Sequence, residues 1–214
     1  MKGTYDLIIF DCDGVLVDSE RIAHTILSEE LGALGIQISE KELTERFAGT
    51  TFAKVRAFIE EQTGEPTPEF FETRYRERAT IAFQRDLTAI EGVEDLIQSL
   101  EVPKAVGSNG PMHKIIPNLT VTKLKHYFEP HIYSAYDFKI WKPDPRFYAG
   151  IAKIMGVSPD RTIVIEDSPA GVRSAHTAGI RVFGYAGTHK PELLAAEGAI
   201  VVHQMQEIKA LLTN

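Results

Sequence analysis

Apolar and polar positions fall into two regimes along the chain. Near its start, Leu7-Ile8-Ile9-Phe10 is a short unbroken apolar run, the pattern of a strand buried on both faces, and it ends abruptly in Asp11-Cys12-Asp13-Gly14. From about Arg21 to Asp86 the pattern reads as helix throughout. Asp18-Ser19 is a natural cap for a helix over Glu20 to Leu34. Ser39 with Glu42 makes a capping box before Leu43 and Phe47. A further start lies near Thr50-Thr51, leading into Phe52, Val55, Phe58 and Ile59. Thr67-Pro68 opens another, with Phe70, Phe71, Tyr75, Ala79, Ile81 and Ala82 behind it.

From Gly92 the regime changes to alternation. Strands are predicted at Val102 to Gly107, His131 to Ser134, Arg161 to Ile165, Ile180 to Gly184 and Ala199 to Val202. Helices are predicted at Val93 to Leu100, Met112 to Leu119, Pro145 to Met155 and Ala170 to Ala178, with a last one ending at Leu212. Such alternation signals βαβ units and a parallel sheet with helices on both faces, an α/β fold. A βαβ crossover needs a dozen or so residues, whereas roughly 90 separate the first two strands, so a helical subdomain is inserted there. The expected division is a core of residues 1–16 and 87–214 with an insert of 17–86.

The 214 residues suffice for one such domain with an insert, and 43% hydrophobic and 25% charged residues are ordinary for a globular protein. A net charge of -7 argues against nucleic-acid or anionic-membrane partners through bulk electrostatics, so an anionic substrate must be held by local cations. The single Cys12 excludes an internal disulfide and reads as apolar filler behind the first strand. Acids at 6, 11 and 13 interrupt any signal-peptide core, and no run approaches the roughly 20 apolar residues of a membrane helix. A soluble, cytoplasmic monomer is the expectation.

The candidate chemistry begins at Asp11 and Asp13. In an extended segment alternate side chains share a side, although a turn at Asp13-Gly14 would set their pairing instead. Two desolvated carboxylates need a cation, and a hard divalent ion with oxygen ligands supplies it. Read alone, the stretch is equally an acidic turn. Its company decides: Ser108-Asn109-Gly110, Lys142-Pro143-Asp144-Pro145 and Glu166-Asp167-Ser168 follow in order. Ligands of open α/β sheets bind beyond the carboxyl ends of the strands, where Asp11, Ser108 and Glu166-Asp167 are predicted to lie.

That ordered set resembles the haloacid dehalogenase-like hydrolases over essentially the whole chain, in the branch containing β-phosphoglucomutase and small sugar phosphatases. The resemblance implies a Rossmann-like core with a four-helix cap. It makes Asp11 the nucleophile and a magnesium ligand, and Asp13 the acid and base whose backbone carbonyl joins the metal shell. Asp167 becomes the second metal carboxylate, with Glu166 either ligating or orienting ligated water. Ser108 and the amides around Asn109 and Gly110 hold phosphoryl oxygens, compatibly with a capping role for Ser108. Lys142 is implied to contact both phosphate and Asp11. In the cap, Arg46 through Thr51, with Arg46 and Gly49 foremost, resembles the loop that reaches substrate. Arg74, Arg76 and Lys114 are weaker candidates, equally readable as helix charges paired with Glu45, Glu72 or Glu77. The seven histidines show no metal-ligand spacing and read as structural or surface residues.

The activity implied is a magnesium-dependent phosphomonoesterase that forms an aspartyl-phosphate. Its substrate would be a small phosphorylated metabolite, and the run from Trp141 to Pro145 looks most like the bacterial 6-phosphogluconate and sugar phosphatases. A phosphomutase with the same core is the alternative, and a non-catalytic phospho-accepting signalling domain a remote one. Halide displacement would need neither Asp13 nor Asp167.

Overall fold

In the computed structural model, residues 5–47, 52–187 and 189–213 are described. The chain separates into two compact units, one of residues up to Asp18 together with those from Thr88, the other Ser19–Leu87.

The first unit holds one six-stranded parallel sheet in the order β3-β2-β1-β4-β5-β6. The strands are β1 (Leu7–Phe10), β2 (Lys104–Ser108), β3 (Ile132–Ser134), β4 (Thr162–Glu166), β5 (Arg181–Tyr185) and β6 (Ile200–Val202). After β1 the chain builds outward through β2 and β3 on one side, then returns to add β4, β5 and β6 on the other. The strand order therefore reverses between β1 and β4, and the crevice beyond their carboxyl ends is where an open α/β sheet binds ligands.

Every residue of β1 and β4 is buried, which explains their uninterrupted apolar runs. Leu7 and Ile9 belong to a core cluster with Phe147, Tyr148, Ile151 and Val172, while Phe10 meets Phe128 edge-to-face at 5.5 Å. Alternate residues of β1 thus face different packing layers.

The second unit comprises α1 (Ser19–Gly32), α2 (Glu40–Phe47), α3 (Phe52–Thr63) and α4 (Phe71–Asp86). Leu27, Leu31, Leu43, Phe47, Val55, Ile59 and Phe71 form its core. The capping box is present: Ser39 Oγ accepts from Glu42 N at 3.2 Å, and Ser39 N donates to Glu42 Oε2 at 3.1 Å. The last helix opens at Phe71 instead of Thr67-Pro68, because Pro68 begins a turn whose carbonyl accepts from Phe71 N. The expected start at Thr50-Thr51 lies outside the described residues.

Completing the first unit are α5 (Val93–Ser99), α6 (Met112–Val121), α7 (Ala135–Phe138), α8 (Arg146–Ile154), α9 (Pro169–Thr177), α10 (Pro191–Ala196) and α11 (Met205–Thr213). The short α7 and α10 were not expected. Each is too brief to show helical periodicity, although Pro191 at the first turn of α10 is a start signal. No helix among the described residues is long and apolar enough to cross a membrane.

Candidate active site

The residues flagged at the three strand ends of the first unit come together. Asp11 follows β1 directly, and its backbone N–H continues the ladder onto Ile165 O at 2.9 Å. Strand β4 runs one residue further than predicted, so Glu166 is its last member and Asp167 the first residue beyond. Parallel pairing of β1 with β4 therefore fixes Asp11 beside both acids. One carboxylate oxygen from each of Asp11, Glu166 and Asp167 lies within 4.8 Å of the others, and all three residues are buried.

Lys142 enters this cluster from the segment between α7 and α8. Its ammonium donates to Asp11 Oδ1 at 2.6 Å and to Glu166 Oε1 at 2.7 Å, with the lysine 7% exposed. Asn109 places it: Asn109 Oδ1 accepts from Lys142 N at 3.0 Å, and its amide donates to Lys142 O at 3.5 Å. The Asn109 side chain is thus engaged with the lysine's own backbone. The Lys142 ammonium lies over the Tyr148 ring, 5.1 Å from its centroid.

Glu166 is fully enclosed. Oε1 also accepts from Tyr148 OH at 2.9 Å, and Oε2 accepts from both N and Oγ of Ser168 at 2.9 Å. Ser168 Oγ in turn accepts from Gly171 N at 3.1 Å, so the expected helix cap is made while the same hydroxyl holds the acid. Tyr148 was missed from sequence because a buried aromatic on an amphipathic helix reads as core.

Asp13 lies on the turn. Gly14 N donates to Val17 O, and Gly14 has φ +80, a conformation that favours glycine. A side chain at 14 is excluded a second time, since its Cβ would fall 2.1 Å from Asp167 Oδ2. Asp13 Oδ2 accepts from Lys114 Nζ at 2.9 Å. Lys114, expected at most as a weak substrate contact or a helix-surface charge, therefore stands at the site because α6 starts just after β2.

Ser108 ends β2 and is buried, with its Oγ accepting from Gly110 N at 3.0 Å. It does not cap α6, whose N-cap is Pro111. Ser134 Oγ donates to Gly110 O at 2.6 Å and steadies this loop.

Burial raises the Asp11 carboxyl to about 7; Lys142 opposes the rise, and the charges of Glu166 and Asp13 reinforce it. For Glu166 burial pushes the same way, but Lys142 and the Ser168 hydrogen bonds outweigh it and hold the group below its usual range. Burial likewise pushes the Cys12 thiol well up, as the reading of an apolar filler requires.

The donor set fits a hard divalent cation. Asp11, Asp13, Glu166 and Asp167 are set against Lys142 and Lys114 among the described residues, and carboxylate oxygens are the ligands magnesium takes. A bound cation would offset the burial cost that raises Asp11.

Other expectations fall elsewhere. In the helical unit, Arg74 donates to buried Glu30 at 2.5 Å and Arg76 to Glu72 at 2.7 Å, so both are occupied in ion pairs. The Arg46 guanidinium lies over the Phe58 ring at 5.2 Å. Gly49 is outside the described residues. Among the histidines, His189 comes near the acids, with Nδ1 3.9 Å from Asp167 Oδ2.

Residues 8–185 match the haloacid dehalogenase-like hydrolase family model. The chain belongs to the haloacid dehalogenase-like hydrolase family. It is 32% identical to 6-phosphogluconate phosphatase of Escherichia coli, with 94% of this chain and 92% of that one covered. A solved haloacid dehalogenase-like protein of unknown function from Agrobacterium tumefaciens superposes with a TM-score of 0.90 at 38% identity, covering 98% of both chains. A β-phosphoglucomutase candidate from Thermotoga maritima superposes at 0.81 with 26% identity, covering 97% of this chain and 98% of that one. The family and its named phosphatases make this chain a hydrolase of the phosphatase kind.

Proposed function

We propose that this hydrolase is a magnesium-dependent phosphomonoesterase acting on a small sugar or sugar-acid phosphate such as 6-phosphogluconate. The observation that carries the reading is the buried Lys142 ammonium clamped between Asp11 and Glu166 at the sheet's switch point.

Asp11 is the proposed nucleophile. Its carboxylate forms a bond to phosphorus while the bond from phosphorus to the substrate's ester oxygen breaks, leaving an aspartyl-phosphate. Asp13 donates the proton that the departing alkoxide needs, then takes one from the water that attacks phosphorus. Inorganic phosphate leaves and Asp11 is regenerated. Lys142 orients the nucleophile and offsets the charge of its anionic target. Ser108 and the backbone N–H groups of Asn109 and Gly110 are proposed to hold the phosphoryl oxygens, the Gly110 N–H exchanging its bond to Ser108 Oγ for one to phosphate.

Asp11, the backbone carbonyl of Asp13, and Asp167 are the residues proposed to hold magnesium. When bound, the ion acts as a Lewis acid that neutralises phosphoryl charge. Glu166, with both oxygens engaged by four hydrogen bonds, is proposed to hold Lys142 and to serve the metal site by orienting ligated water. Arg46 and Gly49 stay proposals for recognising the part of the substrate that does not react.

The test is phosphate release from a panel of sugar, sugar-acid and nucleotide monophosphates, with magnesium, with chelator and with Asp11→Asn. Magnesium-dependent release, abolished in the variant, is the expected result. The likeness to the mutase candidate favours a second reading, in which the phosphoryl group returns to a sugar. Absence of release together with isomerisation dependent on added sugar bisphosphate would establish that reading instead.

A further inference from the structure

The segment between β5 and α10 carries a side chain for which the proposed reaction has no role. The His189 side chain is 10% exposed, and its Nδ1 is buried with no hydrogen-bond partner among the described residues. A buried polar nitrogen without a partner is costly and calls for a function. Its nearest acid is Asp167, with Oδ2 at 3.9 Å, about 1 Å beyond hydrogen-bond reach. The segment is anchored on both sides. Ala186 N donates to Val202 O at 2.9 Å, extending the sheet, and Pro191 opens α10.

The same oxygen of that carboxylate is constrained by a second neighbour. Asp167 Oδ2 lies so close to the Gly14 backbone that even a methyl group is excluded. A carboxylate whose Oδ2 is approached by backbone and by an imidazole only 10% exposed has few orientations. We propose that His189 is a positioning residue for Asp167, its Nδ1–H turning onto the carboxylate to fix which oxygen faces the cation. Ligating carboxylates need such outer partners, and losing one typically weakens metal binding about 10–100-fold. This inference rests on the assignment of Asp167 as a metal ligand.

The test is calorimetric titration of Mg2+ into the metal-free, full-length protein. It compares the parent with His189→Ala, His189→Asn and His189→Gln. An asparagine amide nitrogen occupies nearly the position of Nδ1, whereas that of glutamine matches Nε2. His189→Ala is expected to raise the Mg2+ Kd about tenfold or more. His189→Asn should return it close to the parent value, and His189→Gln should not. If His189→Ala does not fold, judged by circular dichroism, tighter binding by Asn than by Gln carries the same conclusion.

Equal Kd values for parent and His189→Ala, or for Asn and Gln, would overturn the inference while leaving the metal-site assignment intact. Failure of the parent itself to bind Mg2+ would overturn both. A loss in His189→Ala confined to Zn2+ or Co2+ would make the imidazole a direct ligand, as those softer ions prefer, and would likewise overturn a positioning role.

Discussion

Gly171 offers a test in which two physical effects have opposite signs. It lies in the first turn of α9, and on helix propensity alone Gly171→Ala should stabilise the protein by up to about 1 kcal/mol. The site reverses that expectation. A Cβ at 171 would fall 1.7 Å from Oε1 and 1.9 Å from Cδ of Glu166, so the acid must move. Glu166 is 0% exposed, and moving it breaks the bonds from Lys142, Tyr148 and Ser168. Breaking a buried pair costs roughly 3–5 kcal/mol, leaving a net destabilisation of about 2–4 kcal/mol. Urea denaturation at neutral pH measures it. Gly32→Ala, where a Cβ meets nothing within 4 Å, is the control and should be neutral or mildly stabilising. In a Glu166→Ala background the obstruction is gone, so the two substitutions should couple by about 2 kcal/mol or more. A Gly171→Ala protein as stable as its parent, or strict additivity with Glu166→Ala, would refute the reasoning.

The remaining predictions concern charge. Lys142→Met leaves Asp11 and Glu166 facing each other in a buried site, and should cost about 3–5 kcal/mol in chemical denaturation as well as phosphatase turnover. Asp11 has a folded pKa raised to about 7 against an unfolded value near 3.9. Its contribution to stability is therefore fully present below about pH 4 and is lost as pH rises through 7. Metal-free Asp11→Asn should overtake the parent across that window, and added magnesium should close the gap by stabilising the parent alone. Parallel stability curves from pH 4 to 8 would contradict this. Cys12, buried with its thiol pushed well up, should resist a thiol reagent in the folded protein at pH 8 and react at once in denaturant.

What the sequence made legible is what backbone periodicity and local spacing control. The apolar runs at Leu7–Phe10 and Thr162–Glu166 belong to strands buried on both faces, and acids that directly follow such runs are carried to one sheet edge by parallel pairing. The position of Asp11, Glu166 and Asp167 follows from that logic, and so does Ser108 at the end of β2. The Ser39 and Glu42 box was legible because its bonds span only three residues. The side-chain contacts of Asn109 and Tyr148 were not, because each reaches a partner distant in the chain. Asn109 reads as a phosphate-loop residue, and its spacing gives no sign that its side chain also holds the Lys142 backbone; Tyr148 reads as core until its hydroxyl reaches Glu166.

Lys114 marks the boundary between the two kinds of information. Its distance from Asp13 is fixed by where β2 ends, where Pro111 starts α6 and how β1 lies beside β2, none of which is local to position 114. Sequence spacing alone left it a weak substrate candidate, equally readable as a helix charge. The same sheet order that gathers the acids also delivers this second ammonium group. The negative charge is thereby reduced without being removed, and what remains adds to burial, the larger cause, in raising the Asp11 carboxyl to about 7. A site left short of positive charge, with oxygen donors within 4.8 Å of one another, is suited to take a divalent cation together with a phosphoryl group. The unfavourable electrostatics of the metal-free site and the proposed chemistry thus have one origin, the strand reversal between β1 and β4.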